Sequence, residues 1–230
     1  ASIFTGLHPF EHHAYGYRNA LADEHTTLAE ILKAQVWHTV AATSSMKFDR
    51  GTGFDQGFDR YLLFGEEKKN RRSEKVNEAI RTVLAEEATR PVLAFVHYFD
   101  AHAPYSAPAP YRTRFHEGLD ALKPEQTIGF ISDNRTTPVA ASTLAYLAAL
   151  YDGNIAFLDD NVHALLAELS AANGRETLLV ITSDHGEAFQ EHGYLGHSSW
   201  VYEEILTVPL VVHWPGTVPA GLTIEAPVQS

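Results

Sequence analysis

Leu178-Leu179-Val180-Ile181-Thr182-Ser183-Asp184-His185-Gly186-Glu187 is the stretch on which the reading of this chain turns. Its opening, apolar and rich in β-branched residues, has the pattern of a strand buried on both faces. It then switches to an acid, an imidazole and a glycine, with Glu191-His192-Gly193 and Gly196-His197 close behind. In an open α/β sheet, ligands bind beyond the carboxyl ends of the strands, so a polar cluster at such a switch is where chemistry is expected. Aspartate and histidine are also two ordinary metal ligands, a hard oxygen and an imidazole nitrogen. The alternative is that Asp184 caps a following helix, a common role for Asp, and His185 is a solvated loop residue. Glu187, His192 and His197 nearby favour a site.

Outward from this stretch, helices and strands alternate. Ser2 to Gly6 reads as a helical turn closed by glycine. Thr26-Thr27 predicts an N-cap for the helix that starts at Leu28, with Glu30 completing a capping box. Trp37 to Ala42 reads as a strand. Gly51 to Asp59 lacks the spacing of a phosphate loop and is expected to pack Phe54 and Phe58 onto the core. Glu66 through Arg72 reads as a solvated charge run. Ser73 to Ala88 is an amphipathic helix with Val76, Ile80, Val83 and Leu84 inward. Pro91 to Phe99 is a second apolar strand, and residues 106–135 form a long irregular connection. Thr137 to Ala172 is the longest helical period, closed by Asn173-Gly174. The strands Thr177 to Thr182 and Val208 to His213 follow. This alternation predicts an α/β fold, a three-layer α/β/α sandwich with a mostly parallel sheet, as a single domain over 1–230.

Two of these strands end in the same chemistry, Phe99-Asp100-Ala101-His102 and Ser183-Asp184-His185. In a parallel sheet such ends share one edge, so His102, Asp184, His185 and His197 are expected to converge. A net charge of -12 argues against a nucleic-acid partner, which calls for a basic face. No apolar run approaches the length of a membrane span. The chain has no cysteine, hence no disulfide framework and no thiolate site.

The motifs, taken in order, resemble those of a type I sulfatase of the alkaline-phosphatase-like superfamily over nearly the whole chain. Ala1-Ser2-Ile3-Phe4-Thr5-Gly6-Leu7-His8-Pro9 is similar to the segment after that family's Cys/Ser-x-Pro-x-Arg signature, and Thr27 to Lys33 to the helix beyond it. Phe95 to Tyr105 resembles the Asp-Pro-His-x-Pro-Tyr segment, and Tyr151 to Asp160 the family's long helix. Ser183 to Glu187, Glu191-His192-Gly193, Gly196-His197, Tyr202-Glu203-Glu204 and Val208-Pro209-Leu210 complete the order.

The resemblance implies a sulfuric ester hydrolase acting on a small-molecule or saccharide sulfate ester. Its nucleophile is a formylglycine made from the signature Cys or Ser, assisted by a divalent cation, usually Ca²⁺. By position, Asp184 and His185 would be metal ligands, although many sulfatases carry Asn at the second place. An imidazole there suits Zn²⁺ or Mn²⁺ better than Ca²⁺. His102 would bind the anion or assist the leaving group, and His197 would contact substrate and protonate the leaving oxygen. Three of the family's components have no match in the chain: the nucleophile, the paired first-strand aspartates and a Lys-x-x-His pair after Trp37-His38. The expectation is therefore a central fragment, truncated at both ends and inactive by itself. Two other readings remain open. One is a phosphatase, phosphonate monoester hydrolase or phosphodiesterase of the same superfamily. The other is a non-catalytic domain that binds metal or anion.

Overall fold

Local rules set the first elements. The computed structural model describes residues 1–15, 19–49, 51–64, 72–86, 89–116, 122–173, 176–197 and 200–228. Of the expected features, most of the charge run at 66–71, the helix end at Ala88 and the glycine stop at Gly174 lie outside the described residues. The chain packs as two compact units, residues 1–100 with 160–165, and residues 101–159 with 166–230.

In the first unit, α1 (Ser2–Thr5) ends at Gly6, whose φ of 68° is the left-handed cap expected there. A second short turn, α2 (Pro9–His12), follows. Helix α3 (Leu28–Ala34) starts as predicted, with Thr27 accepting from the Glu30 amide and Glu30 Oε2 accepting from the Thr27 amide at 2.8 Å. Strands β1 (His38–Thr43), β2 (Arg60–Leu63) and β3 (Val92–His97) form a parallel sheet in the order β2-β1-β3. The central β1 is buried at every position, as a strand flanked on both edges should be. Phe4, Phe54, Phe58 and Phe95 gather into one aromatic core, with Phe4 and Phe95 ring centroids 4.7 Å apart. The glycine-rich segment thus does what its phenylalanines predicted. Helix α4 (Ser73–Glu86) buries Val76, Ile80 and Val83. Asp100 accepts from its Ser73 amide and hydroxyl, and so closes the helix's N-terminal end. A buried chain also runs from the Tyr98 hydroxyl to Asn77 Oδ1 at 2.6 Å, and from Asn77 Nδ2 to the Asn161 carbonyl at 2.8 Å.

In the second unit, the connection at 106–135 is not wholly irregular. It contains α5 (Thr127–Asp133), with single 3₁₀ turns at Tyr111–Thr113 and Pro124–Gln126. The helix holds because buried Thr127 ties its start at both ends: its hydroxyl reaches the Pro124 carbonyl at 2.8 Å and takes the Tyr105 amide at 2.9 Å. Helix α6 (Ala141–Asn173) buries Tyr146, Leu147 and Leu150 against Tyr105, Ile131 and Leu195. Gly153 is the close approach along it, since a Cβ there would stand 2.6 Å from the Tyr111 carbonyl oxygen.

Strand β4 (Leu179–Thr182) is followed by the ribbon β5 (Ala188–Phe189) and β6 (Leu195–Gly196), then α7 (Glu203–Leu206) and β7 (Leu210–His213). Strand β7 pairs antiparallel to β4. The α/β class stands. One expectation needs correcting: the apolar run before Ser183 is not buried on both faces. Val180 is 55% exposed and Val211 and Val212 are 49% and 45% exposed, where β4 pairs among the described residues with β7 alone.

Candidate active site

The turn that follows β4 is shaped by contacts rather than by a helix. No helix follows Asp184, which removes the capping alternative for that residue. Ser183 Oγ donates to the His185 carbonyl at 2.8 Å, and the Gly186 amide donates to the Ile205 carbonyl at 2.7 Å. A Cβ on Gly186 would lie 2.1 Å from the Glu204 carbonyl oxygen, so only glycine lets α7 seat on this turn. Glu204 in turn holds His192, with Oε1 and Nδ1 2.9 Å apart, and His192 stacks on Tyr202 with centroids 4.3 Å apart. The imidazole beside Glu204 holds its carboxyl below the usual range.

Beyond the turn, the antiparallel ribbon returns the chain. Its register pairs Ala188 with Gly196 and Phe189 with Leu195, so the next pair outward is Glu187 and His197. Gln190 and Gly193, at φ 70° and 73°, make the tight turn between the strands.

Three predicted histidines meet in this unit. The rings of His185 and His197 stack with centroids 4.1 Å apart, and His102 meets His197 edge to face at 5.1 Å. Each is engaged at Nδ1: His102 by the Ala103 carbonyl at 2.6 Å, His185 by the Gly186 carbonyl at 2.8 Å, and His197 by Glu187 at 3.1 Å. Those acceptors call for a proton on Nδ1, which leaves Nε2 as the basic nitrogen of a neutral ring. Burial pushes the His102 pKa down, and its neighbours His197 and His185 add to this against the Ala103 bond and Glu187. Asp184 stands at the open side, its side chain 72% exposed, with Oδ2 3.7 Å from His185 Nε2.

Three residues go beyond the predicted set. Glu187, whose side chain is only 6% exposed, is the partner of His197. Tyr105 and Tyr151 stand in its field, and burial first, then the Glu187 charge, raises both phenols above their ordinary range. The signal for Glu187 was present in Asp184-His185-Gly186-Glu187, but its role depends on the ribbon register. In the first unit, Ser2 Oγ and His12 Nε2 lie 3.1 Å apart. This is not an activated serine: His12 Nδ1 accepts from the Ala14 amide, so the ring proton sits on Nε2 and points the bond towards Ser2.

The family model described as Sulfatase matches residues 1–230. The chain belongs to the sulfatase family. Among this sulfatase-family chain's relatives, the uncharacterized sulfatase YidJ of Escherichia coli (strain K12) is 27% identical over 138 residues, a match covering 56% of this chain and 27% of that protein. The arylsulfatase of Hemicentrotus pulcherrimus is 28% identical over 138 residues, covering 48% of this chain and 24% of that one. Among solved structures, the phosphonate monoester hydrolase of Agrobacterium radiobacter superposes with a TM-score of 0.70 at 18% identity, over 92% of this chain and 57% of that one. A structure in complex with its substrate D-glucosamine-2-N,6-O-disulfate gives 0.70 at 16% identity, over 96% and 62%. The chain thus spans about a quarter of the curated relatives' length.

Proposed function

We propose that the protein hydrolyses a sulfate ester with a divalent metal. Asp184 and His185 would hold the metal, and His102 and His197 would contact the sulfate group and the leaving oxygen. The observation that carries this reading is the convergence of His102, His185 and His197 with every Nδ1 committed. His185 fits the role, since the Gly186 carbonyl fixes the tautomer that leaves Nε2 to a metal, beside the Asp184 carboxylate. These two donors would be only part of a coordination sphere; among the described residues no group of three His, Cys, Asp or Glu side chains could hold an ion by itself. The resemblance points to Ca²⁺, whereas an imidazole ligand favours Zn²⁺ or Mn²⁺. When bound, the metal would supply polarisation of the ester oxygens. The nucleophile would be a formylglycine outside these 230 residues.

Around that centre the chain's own side chains divide the work. His197, once it has taken a second proton on Nε2 to become an imidazolium held at Nδ1 by Glu187, hands that Nε2 proton to the leaving oxygen and returns to the neutral Nδ1–H form. His102, whose Nδ1 bonds the Ala103 carbonyl, would contact the anion from the adjoining edge with Nε2 protonated. A small-molecule or saccharide sulfate ester fits a site whose metal edge, at Asp184, is open to solvent.

The test is parallel assay of the full-length protein on an aryl sulfate and on an aryl phosphonate monoester. Sulfate turnover falling about 100-fold or more in Asp184→Ala and His185→Ala is the expected result. Preference for the phosphonate would move the assignment to the runner-up, which the similarity to the phosphonate monoester hydrolase favours. Metal binding with no turnover of either ester would mark a non-catalytic domain.

A further inference from the structure

We infer that Glu187 is a positioning residue, whose carboxylate sets the tautomer and ring plane of His197. The inference rests on the reading above, in which His197 meets the leaving group. The pairing of Ala188 with Gly196 brings residues 187 and 197 face to face across the ribbon. Both oxygens of Glu187 lie against His197 Nδ1, at 3.1 and 3.2 Å. An ionised carboxylate accepts only, so the ring proton must sit on Nδ1 and the Nε2 lone pair is left for substrate or for a second proton. No hydrogen bond joins His197 Nε2 to any described residue.

The surroundings of that carboxylate are tightly fitted. At Gly196, φ is +95°, and a Cβ there would stand 3.0 Å from Ile131 Cγ2 and 3.7 Å from Glu187 Oε1. A side chain at 196 would therefore crowd the wall that Ile131 forms beside the carboxylate. Tyr105 and Tyr151 line the same space, and their phenols stay protonated there. The three histidines also differ in one respect. His102 and His185 are fixed by backbone carbonyls, which no substitution removes, whereas His197 is fixed by a side chain. Glu187 thus controls one histidine of the three.

The difference supplies the experiment. Imidazole ¹⁵N spectra of the histidine-labelled chain, at about pH 8, report each tautomer. The His197 signals are assigned by their loss in His197→Gln. Wild type should show His197 in the Nδ1–H form. In Glu187→Gln the amide can donate to Nδ1, and His197 should move to the Nε2–H form, the change that an amide in place of a triad carboxylate produces. His102 and His185 should keep their signals. Glu187→Asp, an acceptor still, should restore the Nδ1–H form in part.

An Nε2–H tautomer in wild type, or an unchanged one in Glu187→Gln, would overturn the inference. So would a joint shift of all three histidines, which would mean that the variant acts through the fold. On whichever ester the full-length protein turns over, Glu187→Gln should lower kcat about tenfold or more, with KM within about twofold. Failure to turn over any ester would sink the sulfatase reading and leave the tautomer result standing, so the two failures are told apart.

Discussion

Asp100 and Glu187 are both buried acids with opposite surroundings. Burial pushes the Asp100 carboxyl up to about 6, against the Ser73 amide and hydroxyl that favour its charge. Its pKa in the unfolded chain is about 3.9. Between those values the native state binds more protons than the unfolded one, so stability falls as pH rises through that window and then levels off. The contribution is at most about 3 kcal/mol. In Asp100→Asn the fall between about pH 4.5 and 7 should be smaller than in wild type, as read from urea midpoints. Glu187 instead depends on His197, so His197→Ala should cost about 1–3 kcal/mol by leaving a buried carboxylate without its hydrogen-bond donor. At Gly186 the issue is space: Gly186→Ala must displace α7 and should cost about 1–3 kcal/mol. The hydrogen bond between His192 and Glu204 should break first, since Glu204 supplies the carbonyl that the new methyl group strikes. Histidine ¹H–¹³C spectra would show the His192 resonances shift.

Elements whose signals are local were legible in the sequence. The capping box of α3 is one, since Thr27 and Glu30 bond each other's backbone. Thr27→Ala should cost about 1–2 kcal/mol in thermal unfolding, because the hydroxyl also bonds the Gln56 carbonyl at 3.2 Å. Elements defined by distant partners were not legible. Helix α5 starts just after Pro124 and contains Gly129, both of which read as punctuation, and it stands because Thr127 meets Tyr105 from 22 positions away. The β5–β6 ribbon is two residues per strand, too short for any alternation to show, and yet it pairs Glu187 with His197. The candidate site divides the same way. His102, His185 and His197 stood out as polar residues at strand ends, while Glu187's role emerged only from the register.

At the scale of the whole molecule, the alternation of apolar strands with amphipathic helices carried the α/β class, and the ordered motifs carried the family. Burial did not follow from the pattern alone. A β-branched run predicts a strand, but what covers that strand is decided by other parts of the chain, and β4 and β7 leave Val180, Val211 and Val212 open. Each also pairs on one edge only among the described residues. The same chain carries a net charge of -12. At low salt, mutual repulsion should keep copies apart, and added salt shortens the reach of that repulsion to about 8 Å near 0.15 M. Light scattering should then rise steeply with salt in wild type and stay flat when Val180→Lys and Val211→Lys are combined. In handling, the molecule should behave as a charged colloid with a sticky seam at β4 and β7, held apart from its copies less well as the ionic strength of the buffer rises.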